Sequence, residues 1–235
     1  MHSKNYDTLI IVPVFNEAKN IEFVLEDITK NYPYADILVV NDGSDDNIED
    51  VLKHKTVTVL NHAFNMGIGA SFQTGCQFAL SYGYDYIVRI DGDGQHAASC
   101  IQGVLVSIKE NKADIVIGSR FLEKHRFASS LFRVTGISII SLLLFAITGR
   151  KVTDPTSGFC AMNKKAFSFF AINTPADYPE PEILMYHYKF QIKEVPIKTS
   201  KRRSGASSIT PLLSIYYMYK VLLSLLMRSF RKEET

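Results

Sequence analysis

Four clusters of carboxylate, amide and glycine residues recur through the first half of the chain, each just after a short apolar run. They are Asn16-Glu17, Asn41-Asp42-Gly43-Ser44, Asn65-Met66-Gly67-Ile68-Gly69 and Asp91-Gly92-Asp93-Gly94-Gln95-His96. Asp, Asn and Gly favour turns for local reasons. Four such turns on one edge of one sheet, however, predict a shared site. The strongest element is Asp91-Gly92-Asp93: two carboxylates two residues apart, separated and followed by glycine, can point from one tight loop at the same hard cation. Mg²⁺ prefers carboxylate plus phosphate oxygens and keeps several waters, so a site with few protein ligands suits it. A cation there would neutralise a diphosphate and stabilise charge building on a leaving group. The stretch Asn65 to Gly69 contains GxG but lacks a third glycine at the dinucleotide spacing, which argues against a dinucleotide-binding oxidoreductase. Its glycines are expected to let backbone approach a ligand at a helix N-terminus, where anions are favoured.

The elements that must carry these turns alternate in period. Thr8 to Val14 is a short apolar, β-branched run, and Ala18 to Ile28 then places Ile21, Val24, Leu25 and Ile28 on one helical face. Strands are predicted at Ile37 to Val40, Val57 to Leu60, Tyr86 to Ile90 and Asp114 to Ile117, with helices at Ala70 to Leu80 and Ile101 to Ile108. This spacing implies βαβ units and a mostly parallel sheet covered on both faces, with ligands at the carboxyl ends of the strands. Past Arg120 the pattern changes. Leu131 to Thr148 is strongly apolar, with a polar stripe of Thr135, Ser138 and Ser141. A loop at Asp154 to Phe159, helices near Lys164 and Pro181, a strand at Gln191 to Lys198 and a second apolar run at Pro211 to Met227 complete the chain.

With 235 residues, 46% of them apolar, the chain suits one large α/β domain with a substantial core. Twenty-six basic against twenty-four acidic residues leave a formal charge of +2, which gives no footprint for a nucleic-acid partner. Cys76, Cys100 and Cys160 are odd in number and far apart, so unpaired thiols in a reducing compartment are expected. The N-terminus shows no secretory pattern, which predicts a cytoplasmic location.

Taken together, the chain resembles family 2 glycosyltransferases of the GT-A fold, in the branch of dolichyl-phosphate mannosyltransferases and bacterial lipid-linked glycan enzymes. The resemblance rests on Ile11-Val-Pro-Val-Phe-Asn-Glu17, Val40-Asn-Asp-Gly-Ser44, Asn65 to Gly69 with Gln73-Thr-Gly75, Asp91 to His96 and Gly118-Ser-Arg120. It continues through Asp154-Pro-Thr-Ser-Gly-Phe159 and Glu194-Val-Pro-Ile197 to Arg202, Gly205 and Ser207, about four-fifths of the chain. It implies an α/β fold with a mostly parallel sheet flanked by helices, and a C-terminal apolar helix. It also implies a donor site for a nucleotide diphosphate sugar that includes Pro13, Glu17, Asp42, Asn65, Gly67, Asp91, Asp93, Arg120 and Arg202. Mg²⁺ or Mn²⁺ would sit on Asp91, Asp93 and Gln95. Where the family usually carries an aspartate this chain has Asn41, so Asp42 is the better base-side candidate.

The reaction implied is inverting transfer of a hexose-type unit to a lipid-linked or glycan acceptor. A base is needed unless the acceptor is already an anion such as a lipid phosphate. Glu182 and Glu180 are preferred to Asp154 for that role, Glu182 because it matches a family glutamate. The expected layout is one domain over 1–208, with a nucleotide-binding half to about 120 and an acceptor half beyond it, and an interfacial or oligomerisation helix over 209–235. Pro211 to Met227 is seventeen residues with a single charge, Lys220, short of the roughly twenty needed to span a bilayer. With its basic flank it suits a membrane surface, a membrane-protein partner or a second copy in a homodimer. The rivals are an inactive nucleotide-sugar-binding scaffold and a sugar nucleotidyltransferase; the latter usually has a glycine-rich, basic loop near its start, which Val12-Pro-Val-Phe-Asn16 lacks.

Overall fold

The computed structural model describes residues 4–111, 113–122, 131–175, 179–200 and 211–230. The β-branched run Thr8–Val14 forms β1 and is buried throughout; α1 follows at Ala18–Asn31 and β2 at Asp36–Asn41. A short α2 (Ile48–Leu52), β3 (Thr58–Asn61), α3 (Ile68–Ser81) and β4 (Tyr86–Arg89) come next. A 3₁₀ turn at Ala98–Cys100 opens into α4 (Ile101–Asn111), followed by β5 (Ile115–Ser119) and α5 (Leu131–Thr148). The last third holds β6 (Cys160–Asn163), α6 (Lys164–Asn173), α7 (Pro179–Ile183) running into a 3₁₀ turn at Leu184–Tyr188, β7 (Ile192–Pro196) and α8 (Pro211–Phe230).

The seven strands form one sheet in the order β3-β2-β1-β4-β6-β5-β7. All neighbours are parallel except β6, which runs against both β4 and β5. Successive β1 side chains point to opposite faces. Leu9 and Ile11 join Phe72 and Cys76 of α3, Ile140 and Leu144 of α5, and Phe167 and Phe170 of α6. Ile10, Val12 and Val14 join Ile21, Val24 and Leu25 of α1 and Val104 and Leu105 of α4. This is the helix-covered, mostly parallel sheet that the alternating periods predict. The sequence reading contains neither β6 nor α2, both short.

The two apolar runs of the C-terminal half each dock one face. Val221 and Leu225 of α8 lie in the core cluster beside Ile140 and Leu144 of α5, and burying each such side chain contributes about 1.5–3 kcal/mol. The opposite faces stay exposed: Ile139, Leu142 and Phe145 on α5, and Tyr219, Leu223, Leu226 and Met227 on α8. Among the described residues, no helix is long and apolar enough to cross a membrane.

Candidate active site

The first two strand-end loops are bonded to each other. Asn16, with φ of 57°, donates its amide to Ser44 Oγ at 3.0 Å, and its side-chain oxygen accepts from the Asp45 amide at 2.9 Å. The Glu17 carboxylate accepts from Asn20 Nδ2 at 2.6 Å at the start of α1. Pro13 is buried in β1 opposite Val40. Asn41 closes the next turn: its side-chain oxygen accepts from Ser44 Oγ at 2.6 Å, while its Nδ2 donates to Asn61 Oδ1 at 3.1 Å. A carboxylate could not make that second bond.

Asp42 braces the neighbouring loop. Its Oδ1 accepts from the Met66 amide at 2.9 Å and lies 2.7 Å from His62 Nδ1, and its Oδ2 accepts from the Gly67 amide at 2.8 Å. At Gly43, where φ is +67°, an added Cβ would stand 2.5 Å from the Phe64 carbonyl carbon, so only glycine lets the two loops meet. The Gly67 amide thus faces Asp42, while Gly67 itself caps the start of α3. Phe64, Asn65 and Met66 are exposed on the same loop.

At the end of β4, a fully buried cation holds the Asp91 turn. Arg89, its side chain 3% exposed, places Nη2 at 2.6 Å from Glu180 Oε1 and 3.2 Å from Asp91 Oδ1. His96 Nε2 lies 3.4 Å from Asp91 Oδ2, and the His96 ring packs on Phe159 with centroids 5.5 Å apart. Burial works against ionisation of Asp91, but Arg89 and His96 more than offset it and hold the carboxyl well below the usual range. Gly158 admits this arrangement, because a Cβ there would meet Asp91 Oδ2 at 2.5 Å. Asp93 Oδ1 accepts from the Gln95 amide at 3.0 Å. The chain then returns to the same turn: the Ser200 amide donates to the Gln95 carbonyl at 2.9 Å, and Thr199 bridges His96. Arg202 lies outside the described residues, two positions beyond this anchor.

The three carboxylates considered for the base separate. Asp154 is completely buried and bidentate with Arg120, accepting from Nε and from Nη2 at 2.7 Å each. Glu194 holds that turn by accepting from the Asp154 amide at 2.9 Å. Glu182 accepts from Ser224 Oγ of α8 at 2.5 Å. Glu180 alone of the three shares a cation with Asp91. Sequence reasoning missed Arg89, whose one signal is a charge ending the apolar run Tyr86-Ile-Val-Arg89, and it assigned no role to His62, which ends another.

Among the described residues, no group of three or more His, Cys, Asp and Glu side chains surrounds a common cation position. The donor chemistry nevertheless fits a divalent ion. Asp91, Asp93 and Glu180 set against Arg89 leave two negative charges around one turn, and a Mg²⁺-like ion needs few protein oxygens when a diphosphate supplies others.

A helix-flanked sheet with one reversed strand and an Asp-Gly-Asp turn at its ligand edge defines a GT-A glycosyltransferase. Residues 9–170 match Glycosyl transferase family 2, and the chain belongs to that family. It is 31% identical over 212 residues to the UDP-N-acetylglucosamine--dolichyl-phosphate N-acetylglucosaminyltransferase of Methanococcus voltae, covering 81% of this chain and 84% of that protein. It is 26% identical over 215 residues to the polyprenol monophosphomannose synthase of Mycolicibacterium smegmatis, covering 86% and 81%. The fold matches glucosyl-3-phosphoglycerate synthase from Mycobacterium tuberculosis, crystallised with Mn²⁺, uridine diphosphate and glucosyl-3-phosphoglycerate. That match has a TM-score of 0.71 at 18% identity and covers 94% of this chain and 79% of that one.

Proposed function

We propose that this glycosyltransferase moves one sugar from a nucleoside diphosphate donor to a polyprenyl or dolichyl phosphate, with inversion at the anomeric carbon. The observation that carries the reading is the Asp91 turn, held ionised between Arg89 and His96 at the carboxyl end of β4, in a chain whose relatives are named for such acceptors. An acceptor phosphate oxygen attacks the anomeric carbon, and the bond from that carbon to the diphosphate breaks. Because the acceptor is already an anion, no proton has to be removed. Glu180 then serves as counter-ion to Arg89, while Asp154 and Glu182 hold Arg120 and α8 in place.

Asp91, Asp93 and Gln95 would hold Mg²⁺ or Mn²⁺, which when bound supplies positive charge to the departing diphosphate. Pro13, Glu17, Asp42, Asn65 and Gly67, at or near the strand ends, hold the nucleoside side of the donor, and Arg202 pairs with phosphate. The donor and acceptor residues lie within 1–208, and 209–235 supplies a helix that completes the core with one face while its exposed face, with that of α5, rests on the cytoplasmic face of the cell membrane where a lipid acceptor resides.

Thermal shift against a panel of UDP, GDP, CDP and dTDP sugars with Mn²⁺, followed by transfer to a polyprenyl phosphate in bicelles, tests this reading. A donor that raises the melting temperature by mass action and yields a glycolipid supports it. Stabilisation with no turnover on any acceptor would make the chain a nucleotide-sugar-binding scaffold instead.

A further inference from the structure

We infer that a cavity at the C-terminal end of α5 binds the headgroup of an anionic phospholipid, with the phosphate on Arg150 and Lys151 and headgroup hydroxyls on His187 and Glu194. The inference rests on the membrane-facing reading of α5 and α8 above, and deepens it by naming the lipid chemistry and the place that recognises it.

The cavity has a volume of about 450 Å³ and lies between the last turn of α5, the 3₁₀ turn at Leu184–Tyr188 and the edge strand β7. That size suits a small organic group. Gly149, at φ +68°, donates its amide to the Phe145 carbonyl at 2.8 Å and ends the helix in the left-handed conformation. Arg150 and Lys151 follow directly and line the cavity. A helix C-terminus favours cations, so two in succession are tolerated there without a carboxylate. Among the described residues, neither of these two side chains makes a hydrogen bond or an ion pair.

The rest of the lining offers acceptors. Glu194 Oε1 takes the Thr153 hydroxyl and the Asp154 amide at 2.9 Å each, whereas Oε2 takes only the Thr153 amide, at 2.8 Å. A carboxylate oxygen can accept more than one bond, so Oε2 has room for a hydroxyl. His187 Nδ1 lies 3.3 Å from the Met185 carbonyl, so a neutral ring donates there and leaves Nε2 as an acceptor. Arg150 and Lys151 set against Glu194 give the lining one net positive charge. One phosphodiester neutralises that charge and a zwitterionic headgroup does not, and hydroxyls beyond the phosphate reach the acceptors. The exposed apolar face of α5 runs through Leu142 and Phe145 to one turn before Gly149. A headgroup seated in the cavity therefore leaves its acyl chains along that face, which commits the site to a lipid rather than to a soluble polyol phosphate.

Two anionic lipids of equal charge separate this site from plain surface attraction. Phosphatidylglycerol carries the hydroxyls and phosphatidylmethanol lacks them, so surface charge alone treats the two alike. The full chain is sedimented with phosphatidylcholine vesicles holding the same fraction of one or the other. Wild type should bind the phosphatidylglycerol vesicles about threefold more tightly, as for one neutral hydrogen bond. The double variant Arg150→Gln with Lys151→Gln should weaken that binding by about tenfold or more and erase the preference. His187→Leu removes an acceptor from the neutral ring and no charge; it should erase the preference and leave binding to phosphatidylmethanol unchanged. Wild type without the preference, or a folded His187→Leu that keeps it, overturns the site. If His187→Leu does not fold, the double variant, whose two residues are exposed, must still erase the preference, or the site is wrong. Soluble glycerophosphoglycerol, titrated calorimetrically without vesicles, should bind only weakly. Micromolar binding that the double variant abolishes would give the cavity to a soluble phosphate and overturn the lipid assignment. Wild type that ignores every vesicle would instead overturn the membrane reading, and this inference with it.

Discussion

Arg89 and Glu180 form a 2.6 Å ion pair in which the guanidinium is almost wholly buried and also reaches the Asp91 carboxylate. The pair joins β4 to α7 and makes one positive charge serve two carboxylates. Removing one member of a buried pair leaves the other charge uncompensated, which costs more than the pair itself contributes.

Replacing Arg89 by Met is therefore expected to cost about 3 kcal/mol of stability. In the double variant with Glu180→Leu, at least about 1 kcal/mol should return as coupling. Urea denaturation of the two single variants and the double variant measures it. Strictly additive losses would show that the two side chains are neighbours without energetic coupling.

Glu180→Gln separates the two kinds of acceptor. With an anionic lipid phosphate the variant should keep activity within about tenfold of wild type. A drop of roughly 10²–10⁴ at saturating donor is the size expected for losing a general base, and it would mean that Glu180 deprotonates an acceptor hydroxyl.

Asp93→Asn should abolish Mn²⁺-dependent nucleotide binding while leaving the melting temperature in metal-free buffer unchanged, because Asp93 stands on a surface turn. Calorimetry with and without a chelator reads both. Undiminished transfer in this variant, or in wild type with excess chelator, would remove the metal from the turn.

The outer face of α8 can be altered without touching its inner one. Leu223→Glu with Met227→Glu is expected to abolish sedimentation with anionic liposomes and to leave the fold intact, since both residues are exposed. Wild-type binding should weaken with salt. Cutting the chain after residue 208 should behave differently and destabilise the domain, because it removes Val221 and Leu225 from the core. A wild-type protein that ignores liposomes but dimerises through this face would make α8 an oligomer contact.

Asp36 sets an acid limit on the fold. Burial raises its carboxyl, but the Asn5 and Tyr6 amides and the Tyr84 hydroxyl outweigh that and lower it. The folded value therefore lies below the unfolded one of about 3.9. Its contribution is complete above about pH 5 and disappears as pH falls through the folded value. Asp36→Asn should cost about 2 kcal/mol at pH 7, and the gap to wild type should close below about pH 4 in urea titrations. A gap independent of pH would assign the loss to packing.

Periodicity made the donor half legible. β1 is an unbroken apolar run, α1, α3 and α4 each bury a face that can be counted off the sequence, and α5 keeps its expected bounds, Leu131–Thr148. β6 was not legible, because Cys160-Ala-Met-Asn163 is four residues long and has no β-branched member. In the site, the four turns on one edge were readable and the division of labour among their acids was not. Asp154 and Glu180 look alike as carboxylates in polar loops. What separates them is Arg120, thirty-four positions before the first, and Arg89, far upstream of the second, and local spacing carries no record of such distant partners. The inward turn of the Met66 and Gly67 amides onto Asp42 is of the same kind: it exists only once β2 and β3 lie side by side.

β6 runs against its neighbours, so the chain leaves β5 and re-enters the sheet on the same rim. The stretch from Arg120 to Phe159 is a detour that starts and ends beside the site, and its return point is pinned from both sides, with Cys160 opposite Arg89 and Ile117. The detour is nevertheless tied down inside: Ile140 and Leu144 of α5 lie in the core, Asp154 pairs with Arg120, and Gly158 makes room for Asp91. An exchange of this stretch would leave the sheet register and the donor-side turns in place only if it kept Ile140, Leu144, Asp154 and Gly158.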